Sequence, residues 1–162
     1  MRRVPVPARD PQGLHWQGYG WSEWCSMDPQ VSIAKLLGTE RPTGPGLYRL
    51  RTHGRRGLLY IGQTGLSLAR RLEQQRRGGR IAAGLLHHNP SRRLLHVGTV
   101  IGALWNDGRA VHFSYVELPE EPDLPMPERR GLEVDLIAAY RATMGRSPDC
   151  QFMPGQLGDE FD

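Results

Sequence analysis

Two short runs rich in strand-forming residues, 47–52 and 57–62, flank His53-Gly54-Arg55-Arg56. Gly54 supplies the turn, so the segment is expected to fold as a β-hairpin. A hairpin decides which side chains become neighbours. Here it sets Tyr48, from Gly46-Leu47-Tyr48, beside Tyr60, from Tyr60-Ile61-Gly62, twelve residues further along. Two hydroxyls on adjacent strands can converge on one site. Paired strand tyrosines are usually half-buried core.

The flanking sequence is expected to supply helices and one more strand. Asp28-Pro29 reads as N-cap and first residue of a short helix over residues 30–37, with Val31, Ala34 and Leu37 on one side. After the hairpin, Ser67 can cap a helix reaching about Arg77, where Gly78-Gly79 stops it. Leu68 and Leu72 are its buried stripe, and Arg70, Arg76 and Arg77 face outward. Residues 81–86 allow a further short helix, and 94–104 form a second apolar run. Val111, Phe113 and Tyr115 alternate on one face of a strand over residues 111–117. A proline-rich acidic link over 119–127 leads into a helix from about 128 to 144, ended by Gly145. Its stripe is Leu132, Leu136, Ala139, Tyr140 and Thr143. Residues 1–27 form an irregular leader carrying Trp16, Tyr19, Trp21 and Trp24, which either packs against the domain or stacks on bases.

Charge is distributed unevenly. Residues 1–40 balance four basic against four acidic side chains, whereas 41–109 hold thirteen arginines against Glu73 and Asp107, a net of +11. Residues 110–162 hold four arginines against eleven acids, a net of −7. The central block is the footprint expected for a phosphate-backbone partner. Only Lys35 among 21 basic residues is a lysine. That bias suits planar, bidentate phosphate contacts, and a GC-rich genome produces it too.

At 162 residues the chain suits one domain. No apolar run approaches the ~18 residues of a membrane span. No apolar stretch follows Met1-Arg2-Arg3, so no secretory signal is expected. Cys25 and Cys150 are expected as reduced thiols in the cytoplasm.

Phosphodiester cleavage needs an activated water, an offset for phosphate charge and help for the departing oxygen. A divalent cation held by one carboxylate can meet the last two needs. Glu133 lies beside Leu132 and four before Ile137, at the edge of its helix's buried face. Such a position suits either a cleft ligand or an ordinary exposed glutamate. Arg71, three after Leu68 and next to Leu72, can aim at the same cleft, whereas Arg70 points further round.

In order, these parts resemble the GIY-YIG nuclease family. The resemblance rests on Gly46-Leu47-Tyr48, on Tyr60-Ile61-Gly62-Gln63-Thr64, on Leu68-Ala69-Arg70-Arg71-Leu72 and on Leu132-Glu133-Val134-Asp135-Leu136-Ile137. It selects Arg71 over Arg70 and Glu133 over Asp135. It implies an α+β fold, a small three-stranded antiparallel sheet flanked by helices, spanning residues 28–152 with a basic insertion at about 76–109. Residues 153–162 would be a flexible acidic tail.

By the same resemblance Tyr48 would be, or relay to, the general base. Tyr60 would position water or phosphate, Arg71 would stabilise developing charge, and Glu133 would hold Mg²⁺, with Mn²⁺ able to substitute. Gln151 stands where many members carry a bracing asparagine. Some restriction-type members place a histidine four residues after the arginine; here that position is Gln75, so the contact is absent or comes from elsewhere. Arg92 and His96 have the arginine–histidine spacing and form a reserve catalytic pair. Arg70, Arg76, Arg77, Arg80, Arg92 and Arg93 are the expected DNA contacts. His87-His88-Asn89 lacks the further spaced residues that an HNH nuclease needs. The expected function is a metal-dependent DNA endonuclease, of restriction type or serving defence or a mobile element, possible as a homodimer. The alternative is an idle nucleic-acid-binding module, and an RNA-directed protein is a weaker third.

Overall fold

A computed structural model describes residues 9–87 and 96–151 and shows a mixed α+β fold built on one antiparallel sheet. The strands are β1 (Cys25–Ser26), β2 (Gly46–Thr52), β3 (Tyr60–Thr64) and β4 (Val111–Glu117), in the spatial order β1-β4-β2-β3. The helices are α1 (Ile33–Leu37), α2 (Leu68–Ala82), α3 (His96–Asn106) and α4 (Met126–Met144). Among the described residues no helix is long and apolar enough to cross a membrane.

The hairpin pairs β2 with β3 from Gly46↔Thr64 to Leu50↔Tyr60, and β4 pairs along the other side of β2 from Gly46↔Glu117 to Thr52↔Val111. The sheet has four strands rather than the three expected. The extra one comes from the leader, where Cys25 pairs with Phe113 and Ser26 with His112. Ser22 and Met27 extend the contact, their N–H groups donating to the carbonyls of Tyr115 and Val111 at 2.8 Å each. The leader thereby covers an edge of β4 that would otherwise present unpaired backbone groups.

Alternation along the strands sends side chains to two cores. Tyr48, Leu50, Tyr60, Val111 and Phe113 meet Leu68 and Leu72 of α2 and Val97 and Ile101 of α3. Leu47, Ile61 and Val116 on the opposite face meet Trp16 and Trp21 of the leader and Leu136 and Tyr140 of α4. The aromatic leader therefore packs. Arg49, fully buried on this second face, lies 4.3 Å from the Trp21 ring centroid and 4.5 Å from that of Trp24. Burial depresses its guanidinium to about 9, so it stays charged at neutral pH, held by the two aromatic faces and the Pro11 carbonyl.

Three helix boundaries differ from expectation. α1 is capped by Ser32, whose Oγ accepts from Lys35 N–H, and not by Asp28. The carbonyls of Asp28 and Pro29 instead accept from Arg76, which holds that stretch out of helix. α4 begins at Met126, a little earlier than the sequence indicated, and ends at Gly145 in the left-handed conformation (φ 75°). α2 does not stop at Gly78-Gly79 but runs on to Ala82. Both glycines face α3, where a Cβ on Gly98 would fall 2.8 Å from the Gly78 backbone and one on Gly102 would fall 2.7 Å from the Gly79 carbonyl oxygen. Glycine's cost within a helix is about 1 kcal/mol, and close packing against a second helix offsets it. The expected basic insertion thus consists, where described, of the last turns of α2, a turn and α3.

Candidate active site

The hairpin register places Tyr48 opposite Gly62 and Leu50 opposite Tyr60, so the two tyrosines are diagonal neighbours on one face. Their ring centroids are 5.9 Å apart at an interplanar angle of 43°, and both rings are buried. α2 crosses this face. Ser67 caps it by accepting from Arg70 N–H at 3.3 Å, which sets the rotation that turns Leu68, Arg71, Leu72 and Gln75 inward. Arg71 is only 5% exposed and hydrogen-bonds the Tyr48 hydroxyl. Gln75, one turn on and wholly buried, donates from Nε2 to the same oxygen at 3.1 Å.

Glu133 is half-buried on α4, and its negative charge raises the pKa of both tyrosines. Tyr48, Tyr60, Arg71 and Glu133 therefore share one electrostatic neighbourhood, although they come from β2, β3, α2 and α4. Burial is the main influence on each tyrosine. It pushes Tyr48 above its ordinary value, against the Arg71 charge and the Gln75 hydrogen bond, which both pull it down. Tyr60 stands well above the ordinary value through burial, then through the Tyr48 and Glu133 charges, with a hydrogen bond to Tyr48 raising it further.

The Gln151 side chain bonds to backbone and not to the tyrosine hydroxyls. Its amide clasps the β3 backbone, Oε1 accepting from Ile61 N–H at 3.0 Å and Nε2 donating to the Ile61 carbonyl at 3.1 Å. With Cys150 N–H bonded to the Leu59 carbonyl at 2.7 Å, the segment lines the free edge of β3 beside Tyr60.

The arginines divide. Arg70 and Arg77 are exposed on the outer face of α2, and Arg80 is half-exposed. Arg76 does not face outward: it is 5% exposed, with Nε and Nη2 bonded to the Glu73 carboxylate and Nη1 to the Asp28 and Pro29 carbonyls. It ties α2 to the loop before α1 and has no free edge for a phosphate. Arg92 and Arg93 lie outside the described residues. The reserve pair cannot be assembled for that reason; its other member, His96, stands exposed at the described start of α3.

Two buried residues near this cluster were given no role from the sequence: Gln75, noted only as standing where some family members carry a histidine, and Arg129. Gln75 does reach Tyr48, and its spacing was visible, since 68, 71, 72 and 75 form one helical stripe. Arg129, four before Glu133 and 3% exposed, donates from Nε to Gln63 Oε1 at 2.6 Å and lies against Gly65. No local signal marks it, because the partner that buries it is 66 positions away.

Among the described residues no three His, Cys, Asp or Glu side chains come together. A cation here would therefore take Glu133 as its protein carboxylate and fill its remaining positions with water and phosphate oxygen, a donor set that suits Mg²⁺ or Mn²⁺. No protein-family model, no curated protein and no solved structure matches the chain.

Proposed function

We propose that this protein is a divalent-metal-dependent endonuclease that hydrolyses phosphodiester bonds in DNA. The observation that carries the reading is that the buried, neighbouring Tyr48 and Tyr60 both feel the charges of Arg71 on α2 and Glu133 on α4. In this reading the ionised Tyr48 takes the proton of the attacking water. Its oxygen already receives donors from Arg71 and Gln75, as a proton acceptor requires. Tyr60, held protonated by its burial, lies beside Tyr48 and positions the water or phosphate. Arg71 offsets the charge that builds on the phosphate. Mg²⁺ on Glu133, when bound, neutralises phosphate charge and eases departure of the leaving oxygen. Arg70 and Arg77 on the outer face of α2 hold the nucleic-acid backbone. Cys25 and Cys150 as free thiols suit the cytoplasm.

The second reading, an idle nucleic-acid-binding module, draws on the burial of Tyr48, which disfavours the ionised form a base needs. One experiment separates them. Wild type and Glu133→Ala are incubated with mixed-sequence plasmid, single-stranded DNA and RNA in Mg²⁺, Mn²⁺ or EDTA. Metal-dependent DNA cleavage by wild type alone supports the nuclease; discrete bands would mean sequence-specific cutting and a smear unspecific cutting. Salt-sensitive binding without cleavage of any substrate would favour the idle module.

A further inference from the structure

Arg129 carries its charge to a place where arginines are seldom found. It is 3% exposed on α4, and a guanidinium leaves water only where its N–H groups are met. Nε donates to Gln63 Oε1 at 2.6 Å, and Gln63 is itself buried on β3. Nη1 lies 3.9 Å from the Glu121 carboxylate. The guanidinium also fills the space over Gly65, where a Cβ would fall 2.6 Å from Arg129 Cζ. Gln63 and Gly65 together form a notch that fits this side chain closely.

The strand that supplies Gln63 also carries part of the site. β3 bears Tyr60, and its Gly62 is the cross-strand partner of Tyr48. On α4, Arg129 precedes Glu133 by one turn, so both project from the same side of the helix. A second anchor lies beyond Glu133, where Leu136 and Tyr140 are buried and the Tyr140 hydroxyl accepts from Leu58 N–H at 2.8 Å. Glu133 stands between the two anchors and nearer to Arg129. The start of the helix adds little: Pro125 makes no side-chain cap, and Glu121, which accepts from Met126 N–H at 3.2 Å, is 60% exposed. Without the Arg129 bond, the turn that holds Glu133 would be the first to lose its register on β3.

We propose that Arg129 is a positioning residue for Glu133: seated in the notch of Gln63 and Gly65, it fixes the turn of α4 that presents the Glu133 carboxylate to the divalent cation. The role rests on the nuclease reading, in which Glu133 is the protein's ligand to that cation. Partners that orient a ligand from behind typically set metal affinity by about 10- to 100-fold. Arg129 acts through the helix and is not itself placed on the phosphate, because Gln63 and Gly65 close it in.

The test is Mn²⁺ binding to the metal-free full-length protein, read without any cleavage from the EPR signal of free Mn²⁺. Two variants disturb the notch differently. Gln63→Leu removes the acceptor, whereas Gly65→Ala keeps every hydrogen-bonding group and pushes the guanidinium out. Tyr140→Phe loosens the far anchor as a matched loss of stability, and Glu133→Gln is the blank. We expect the Kd for Mn²⁺ to rise about 10- to 100-fold in both notch variants and to stay within about twofold in Tyr140→Phe, while urea midpoints fall in all three. Should Gln63→Leu fail to fold, Gly65→Ala decides. Wild-type affinity in the notch variants overturns the proposal, whether or not cleavage suffers, and leaves the nuclease reading standing. A loss in Tyr140→Phe as large as in the notch variants overturns it too, since that is the signature of a merely looser fold. Wild type that binds Mn²⁺ no better than Glu133→Gln overturns the cation reading of Glu133 and this role with it.

Discussion

The ring of Tyr48 lies directly against Gly62, so that a Cβ at 62 would fall 2.4 Å from Tyr48 Cζ and 2.6 Å from its hydroxyl oxygen. The glycine that follows Tyr60-Ile61 is thus the floor on which Tyr48 rests. Gly62 and Tyr48 are cross-strand partners, and only a hydrogen side chain lets the phenol lie flat across β3 towards Tyr60.

We predict that Gly62→Ala displaces the Tyr48 ring. Overpacking of this kind costs about 1–3 kcal/mol. The variant should unfold at lower urea and lose cleavage out of proportion to its remaining folded fraction. A Gly62→Ala protein with wild-type stability and rate would show that the ring does not need this seat.

Catalytic roles separate by variant. Glu133→Gln should abolish metal-dependent cleavage and leave DNA binding within about twofold, since rim contacts carry affinity. Arg71→Ala should lower kcat on the order of 10²–10³, the effect of losing one charge-stabilising donor. Tyr48→Phe keeps the ring and removes the acceptor, and a near-normal rate would exclude Tyr48 as the base. Because burial raises Tyr48, its ionised share grows about tenfold per pH unit below its pKa, and log(kcat/KM) should climb with pH across the neutral range.

Exposed and buried arginines on one helix should behave differently. Arg70→Ala with Arg77→Ala should weaken binding to every DNA sequence and flatten log K against log salt by about 2. Arg76→Ala, which strands the Glu73 carboxylate, should instead lower stability by about 1–3 kcal/mol. A change in salt slope from Arg76→Ala without loss of stability would put that residue at the interface after all.

Helix contact through glycine gives a matched pair. Gly98→Ala drives a methyl into the Gly78 backbone and should cost about 1–3 kcal/mol in urea unfolding. Gly131→Ala, on exposed α4 with nothing within 4 Å, should stabilise by about 0.5–1 kcal/mol. Equal effects at the two sites would dissolve the close α2–α3 contact.

Alkaline pH should destabilise the fold through named groups. Burial pushes the Cys150 thiol up to about 12 and raises Tyr48 and Tyr60. A group whose pKa is raised on folding contributes stability that is complete below its unfolded value and is lost as pH climbs to the folded value. For Cys150 that window runs from about 9, the ordinary thiol value, to about 12. Each such group adds at most about 1.4 kcal/mol per pH unit to the slope. Urea unfolding at pH 8, 9.5 and 11 should therefore show falling stability, and less of a fall in Cys150→Ala.

Much was legible in short stretches of chain. The hairpin, the strand at 111–117, the Ser67 cap, the Gly145 stop and the α+β class each follow from residues within a few positions of one another, because turn geometry, capping and alternation are local. The choice of Arg71 over Arg70 as the inward arginine follows from helical spacing in the same way. Tertiary structure decided what depends on distant partners. A leader without alternation became β1 because β4 had an open edge, and α2 ran through Gly78-Gly79 because Gly98 and Gly102 came to meet it. Arg76 went inside because two carbonyls some 47 positions away needed a donor, and Gln75 found Tyr48 27 positions away across the core. Local pattern determines which elements form; which polar groups are buried depends on desolvation offset by partners that only the folded chain brings within reach.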